Sequence, residues 1–139
     1  MSTNIRPQIS KKNEYWISKH RYYELKHFCL QYPEWTKELQ SINGFVRNTI
    51  SAVKTLPNGK VDDPTSKCAI IQIQYKNLIE MVNNSAKETD IILGNYIFKA
   101  VTQGMSYDYL KTNFNIPCCK ETYYAMYRRF FWILSNKRQ

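Results

Sequence analysis

The chain has 139 residues, of which 43% are hydrophobic and 14% aromatic, so it is too rich in core-forming side chains for a disordered protein. Four Gly and five Pro argue against an all-β fold built from many tight turns. Twenty Lys/Arg against 11 Asp/Glu give a net charge of +9, which favours polyanionic partners such as nucleic acid, an anionic membrane or an acidic protein face.

Residues 1–10 read as a flexible tail without the apolar region of a signal peptide. From Lys11 to Gln31 the composition turns helical, with Tyr15, Tyr22, Leu25 and Cys29 on one stripe. Pro33 is expected to stop this helix, because its ring disfavours helical geometry at Tyr32. A second helix runs from about Glu34 to Val53, where Trp35, Leu39, Ile42, Val46, Thr49 and Val53 form a heptad-like seam. That seam is a candidate surface for homodimerisation. Together, residues 11–55 read as an N-terminal helical hairpin.

Leu56 to Asp63 contains Pro57 and Asn58-Gly59, and 56–63 is the clearest loop and a candidate hinge. Residues 64–139 then read as a second helical domain. Asp63 and Pro64 open a third helix with Cys68, Ile71, Tyr75, Leu78 and Val82 as its buried stripe, fraying at Asn83-Asn84-Ser85. Thr89 or Asp90 caps a fourth, holding Ile92, Leu93, Tyr96, Ile97, Ala100 and Val101, with Gly104 at a left-handed C-cap. No strand signal competes with these periods, and the fold class is all-α.

The segment from 106 to 134 carries the sharpest functional pattern. Ser106 caps a short fifth helix with Tyr107, Leu110 and Phe114 inward, Asn113 and Asn115 suit a tight turn, and Ile116 is its buried residue. Cys118 or Cys119 begins a longer sixth helix, whose inward stripe is Tyr123, Tyr127, Phe130, Ile133 and Leu134. This is the layout of a helix-turn-helix, in which the first residues of the second helix meet base edges in the major groove. The candidate readers are Lys120, Glu121, Tyr124 and Arg128, by bonds to guanine, cytosine or phosphate. Arg129, Lys137 and Arg138 are candidate phosphate holders. A plain helical hairpin with solvated charges shows a similar period; the ordered string of caps, turn residues and basic helix favours the DNA-binding form.

The excess charge sits at the two ends. Residues 1–37 carry seven Lys/Arg and three Asp/Glu, residues 107–139 six and two, and residues 38–106 a near-balanced seven and six. Near the N-terminus, Tyr22, Tyr23, Tyr32 and Trp35 beside Lys19, Arg21 and Lys26 suit either base stacking or a core with a polar edge. Cys29, Cys68, Cys118 and Cys119 lack metal-ligand spacing and read as reduced thiols, so no metal or cofactor is expected. No paired carboxylates, catalytic Ser/His/Asp or Cys/His order or phosphate-cradling Gly loop argues for an enzyme. No apolar run approaches a membrane span, and a cytoplasmic location is expected.

Several of these stretches resemble small prophage proteins of Firmicutes. They are Tyr22-Tyr23-Glu24-Leu25-Lys26-His27-Phe28, Gln31-Tyr32-Pro33-Glu34-Trp35, Asp63-Pro64-Thr65 and Ile116-Pro117-Cys118, followed by Tyr123-Tyr124 and Arg128-Arg129-Phe130-Phe131. The resemblance, spread over most of the chain, is to the ArpU/RinA-type phage transcriptional regulators. It implies a phage-encoded activator with a sigma-factor-like C-terminal helix-turn-helix and a helical N-terminal half. Pro117-Cys118-Cys119 departs from the Ser or Thr cap of many such units, which leaves the start of the recognition helix open by one or two residues. The expected partner is double-stranded DNA, with host RNA polymerase as a further one. The alternative is a phage protein that binds and inhibits a host protein or nucleoprotein complex, of the anti-CRISPR or polymerase-binding type.

Overall fold

The computed structural model describes the backbone of residues 13–53 and 64–139 and the side chains of 13–44 and 66–139. The tail at 1–10, the loop at 56–63, and the side chains of Val46, Thr49 and Val53 of the expected seam lie outside what is described. The described residues are all-α: α1 (Lys19–Leu30), α2 (Tyr32–Val53), α3 (Pro64–Thr89), α4 (Gly94–Gln103), α5 (Tyr107–Phe114) and α6 (Lys120–Lys137).

Several boundaries differ from the sequence expectation for local reasons. The first helix begins at Lys19, because the Ser18 side chain accepts from the Arg21 amide and caps it there. Tyr15 and Trp16 therefore precede the helix, and the Tyr15 ring packs edge-on against Trp132 at 5.6 Å. Pro33 falls in the first turn of α2, where its missing N–H costs nothing, and the break between helices is the single residue Gln31. Helix α3 does not fray at Ser85: it continues to Thr89, with Ser85 and Thr89 hydroxyls donating to the carbonyls of Met81 and Ser85, each at 2.7 Å. Asp90 then caps a turn rather than a helix, accepting from Ile92 N at 2.9 Å and Leu93 N at 2.7 Å. Ile92 is thus outside α4 and exposed.

The chain divides into two compact units: residues 1–32 with 81–139, and residues 33–80. The expected 11–55 hairpin does not match this division, because α1 packs against α4 and α6. The first unit's core is Tyr22, Leu25, Phe28 and Cys29 of α1, Val82 and Ala86 of α3, Ile97, Ala100 and Val101 of α4, and the inward face of α5 and α6. Arg21 ties α1 to the end of α6: its Nε donates to Ser135 Oγ and its Nη2 to Ser135 O, both at 3.2 Å, and also to the Arg138 carbonyl. A guanidinium on the last carbonyls of a helix satisfies orphan acceptors and complements the dipole.

The second unit holds most of α2 and the first part of α3, joined where Gln72 Nε2 donates to Asn43 Oδ1. Trp35 is buried, while Leu39 and Ile42 are half-buried. Of the expected α3 stripe, Val82 is buried, Cys68, Tyr75 and Leu78 are half-buried and Ile71 is exposed.

Candidate nucleic-acid interface

Helix α4 ends at Gly104, whose φ of 69° reverses the chain, and Ser106 opens α5 by accepting from Tyr109 N at 3.1 Å. Tyr107 and Leu110 point inward as expected. Phe114 does not: it is 37% exposed, with its ring under Lys99 Nζ at 4.0 Å. Asn115 terminates α5 in the left-handed region at φ 51°, and the amides of Asn115 and Ile116 both turn back to the Leu110 carbonyl. Ile116 is buried, which anchors the connection 115–119 to the core.

Tyr107 links α5 to the connection that precedes α6. Its hydroxyl donates to the Cys118 carbonyl at 2.7 Å, and its ring lies 5.3 Å from Tyr123 in the first turn of α6. The hydroxyl thereby pins the last residues of the turn to the start of α5. Cys119 is the N-cap of α6, so Lys120 is its first residue.

Lys120, Glu121 and Thr122 are exposed, while Tyr123 is buried behind them. Tyr124 and Arg128, one and two turns on, are half-buried, as is Arg129. Tyr124 stacks among Tyr107, Tyr123 and Tyr127, which limits its freedom to reorient. Among the described residues Lys120, Arg128 and Arg129 make no ion pair, so their charges are available to a polyanion. Lys137 and Arg138 are engaged within the protein. Lys137 pairs with Glu88 at 2.8 Å; the Arg138 guanidinium covers the Phe28 ring at 3.7 Å and approaches Glu24 at 4.0 Å. They also lie at the other end of α6, about 25 Å from Lys120 at 1.5 Å per residue. The N-terminal half of α6 therefore carries Lys120, Glu121 and Tyr124, with Arg128 at mid-helix about 12 Å from Lys120 at 1.5 Å per residue, and Lys137 and Arg138 lie apart at its far end.

Behind the helix runs a chain of tyrosines. Tyr22 and Tyr127 hydroxyls are 3.0 Å apart, and burial above all raises the pKa of each. Burial likewise raises that of Tyr123. Tyr22 and Trp35 are buried, and Tyr32 packs edge-on against Phe98 at 5.0 Å, so these rings are not available for base stacking; Tyr23 alone of the four is exposed. Phe131 is fully buried and was not on the expected stripe, although its place one residue after Phe130 in a wide apolar face was a readable signal.

The four cysteines are free. The Cys119 thiol is held below its ordinary value by the Thr122 hydroxyl, 3.2 Å away, then by the Thr122 and Glu121 amides. Cys29, sealed in the core, is pushed up by burial. No described helix is long and apolar enough to cross a membrane. Comparison with known proteins finds no family model, curated protein or solved structure that matches this chain.

Proposed function

We propose that this protein is a sequence-specific, double-stranded DNA-binding transcriptional regulator of a phage or prophage, with α5 and α6 as its helix-turn-helix. The observation that carries this reading is the start of α6. An exposed Lys120-Glu121-Thr122 turn stands on a buried Tyr123, and the connection just before it is tied to α5 by the Tyr107–Cys118 hydrogen bond. In such units this end of the second helix enters the major groove. Lys120 and Arg128 then reach guanine edges or phosphates, Glu121 accepts from cytosine, Tyr124 supplies apolar contact, and Arg129 holds the backbone. That Lys120, Arg128 and Arg129 make no ion pair among the described residues supports this reading; Lys137 and Arg138 serve to fasten the end of α6.

The test is binding of the full chain to duplex fragments from its neighbouring genome, with random DNA as competitor, across a salt series. A fragment preferred by about 10³-fold or more supports a specific regulator, and the slope counts phosphate contacts. Lys120→Ala with Arg128→Ala is expected to remove that preference while the far-ultraviolet circular dichroism stays unchanged. Equal, salt-sensitive binding to every fragment would overturn the reading.

One observation favours the second reading, a phage protein that inhibits a host protein. Tyr109 and Phe114 expose neighbouring rings on the outer side of α5, 6.2 Å apart, and aromatic side chains are enriched at protein interfaces. Host-protein binding lost with Tyr109→Ala and kept with the Lys120/Arg128 double variant would favour it.

A further inference from the structure

Of the three tryptophans Trp132 alone is exposed, with 37% of its surface in solvent; Trp35 is buried and Trp16 half-buried. It stands on the outward face of α6, opposite the buried stripe of Tyr123, Phe130 and Leu134. The Tyr15 ring braces the indole from one side, 5.6 Å away at an interplanar angle of 61°. Arg128 and Arg129 lie one turn before it on the same face. At about 100° per residue their side chains leave the helix roughly 40° to one side of the indole and roughly 60° to the other. Both are half-buried, and neither makes an ion pair among the described residues. Residues 122–136 hold these two cations and no Asp or Glu.

In a double helix every base face is already stacked on its neighbours, so an indole on this face of α6 has no base to lie against in a duplex. An unstacked base can cover it. Proteins hold single strands in this way, with aromatic faces carrying bases and cations following the backbone. We propose that Trp132, flanked by Arg128 and Arg129, is a binding site for single-stranded nucleic acid. A base stacks on the exposed indole, and the adjoining phosphates accept from the two guanidiniums, which suit phosphate oxygens in a two-pronged geometry. The charge argues against an uncharged protein surface as the occupant. Such a cover would desolvate two arginines, with no carboxylate on this stretch of α6 to receive them. A phosphodiester strand neutralises both. Trp132 lies about 18 Å along the helix from Lys120 and has no part in the proposed duplex site, so this binding goes beyond that reading and does not require it.

The experiment is a fluorescence anisotropy titration of the full chain with labelled oligothymidylate and oligouridylate of about ten nucleotides, beside a random duplex of the same length. An unstacked base next to a phosphodiester is common to both strands, and the tighter of the two identifies DNA or RNA. Trp132→Ala should weaken strand binding by about 10-fold and duplex binding by less than about twofold. Trp132→Phe keeps a ring in place and should restore most of the affinity, while the quenching of tryptophan emission that the strand causes in the wild type disappears. This arm keeps the result decisive should Trp132→Ala lose its fold by circular dichroism. Arg129→Ala should lower the slope of log affinity against log salt for the strand by about 0.7. Lys37→Ala removes an equal charge from an exposed position on α2 and should leave strand affinity within about twofold. Strand binding indifferent to Trp132→Ala overturns the proposal, as does an equal loss for the duplex. Displacement of the strand by polyglutamate at equal charge concentration also overturns it, since the patch would then be an anion-attracting face for acidic protein. The duplex reading is tested with other ligands and at Lys120, so the two fail separately.

Discussion

Two glycines should respond to the same substitution with opposite signs. A Cβ built on Gly94 would sit 2.5 Å from the Ala86 carbonyl oxygen and 3.2 Å from its carbon. Both atoms are backbone, so no side chain can swing aside, and α3 and α4 must move apart. Alanine's greater helix propensity offers at most about 1 kcal/mol in return. Overpacking that forces a backbone shift costs about 1–3 kcal/mol, and a contact this short belongs at the upper end. Gly94→Ala should therefore destabilise by about 1–2 kcal/mol net, lowering Tm by roughly 5–15 °C for a domain near 100 residues. At Gly44 a Cβ would meet nothing within 4 Å, and the residue is exposed within α2. Gly44→Ala should stabilise its helix by up to about 1 kcal/mol. Thermal melting followed by circular dichroism reads both. A Gly94→Ala protein as stable as the wild type or more so would refute the close approach of α3 and α4.

Tyr107→Phe should cost about 1 kcal/mol in denaturant unfolding by leaving the Cys118 carbonyl without its donor, and on the proposed DNA-binding reading it should weaken specific binding more than nonspecific binding. An unchanged preference for the specific site would separate the turn from recognition. Arg21→Ala should cost roughly 2 kcal/mol through the bonds lost from Ser135 and the Arg138 carbonyl, with faster hydrogen exchange confined first to the last turn of α6. Under limiting alkylating reagent, Cys119 should react before Cys118, because its thiol is held low while that of Cys118 is raised by burial; Cys29 should react only on unfolding. Peptide mapping that finds Cys29 labelled first would contradict the core packing. Tyr22, Tyr123 and Tyr127 all have pKa values raised by burial, so the folded protein binds their protons more tightly than the unfolded chain. Their contribution is complete below the unfolded value of about 10 and is lost as pH rises toward the folded values. Tm should accordingly fall above pH 10, and a Tyr127→Phe protein should lose less.

What the sequence determined by itself was local. Ser106, Gly104, Asn115 and Ile116 stand in the roles their chemistry implied, because a cap or a left-handed turn depends on amides three to five residues away. The inward residues Tyr123, Phe130, Ile133 and Leu134 were legible from a 3.6-residue period. The boundaries of α1, α3 and α4 were less so, because several neighbouring Ser, Thr and Asp residues compete to cap or back-bond, and only the geometry shows which one does. Tertiary structure alone decided which charges are engaged within the protein. Arg21, Lys137 and Arg138 look like Lys120 and Arg128 in the sequence, yet the first three are committed to Ser135, Glu88 and the Phe28 ring. It also decided that α1 packs on α4 and α6, that Tyr107 reaches Cys118, and that Ile91 is left in solvent. Helical periodicity shows that a face is apolar but not what covers it, and that pairing is set by packing between segments as far apart in sequence as α1 and α6, where Arg21 and Arg138 are 117 residues apart.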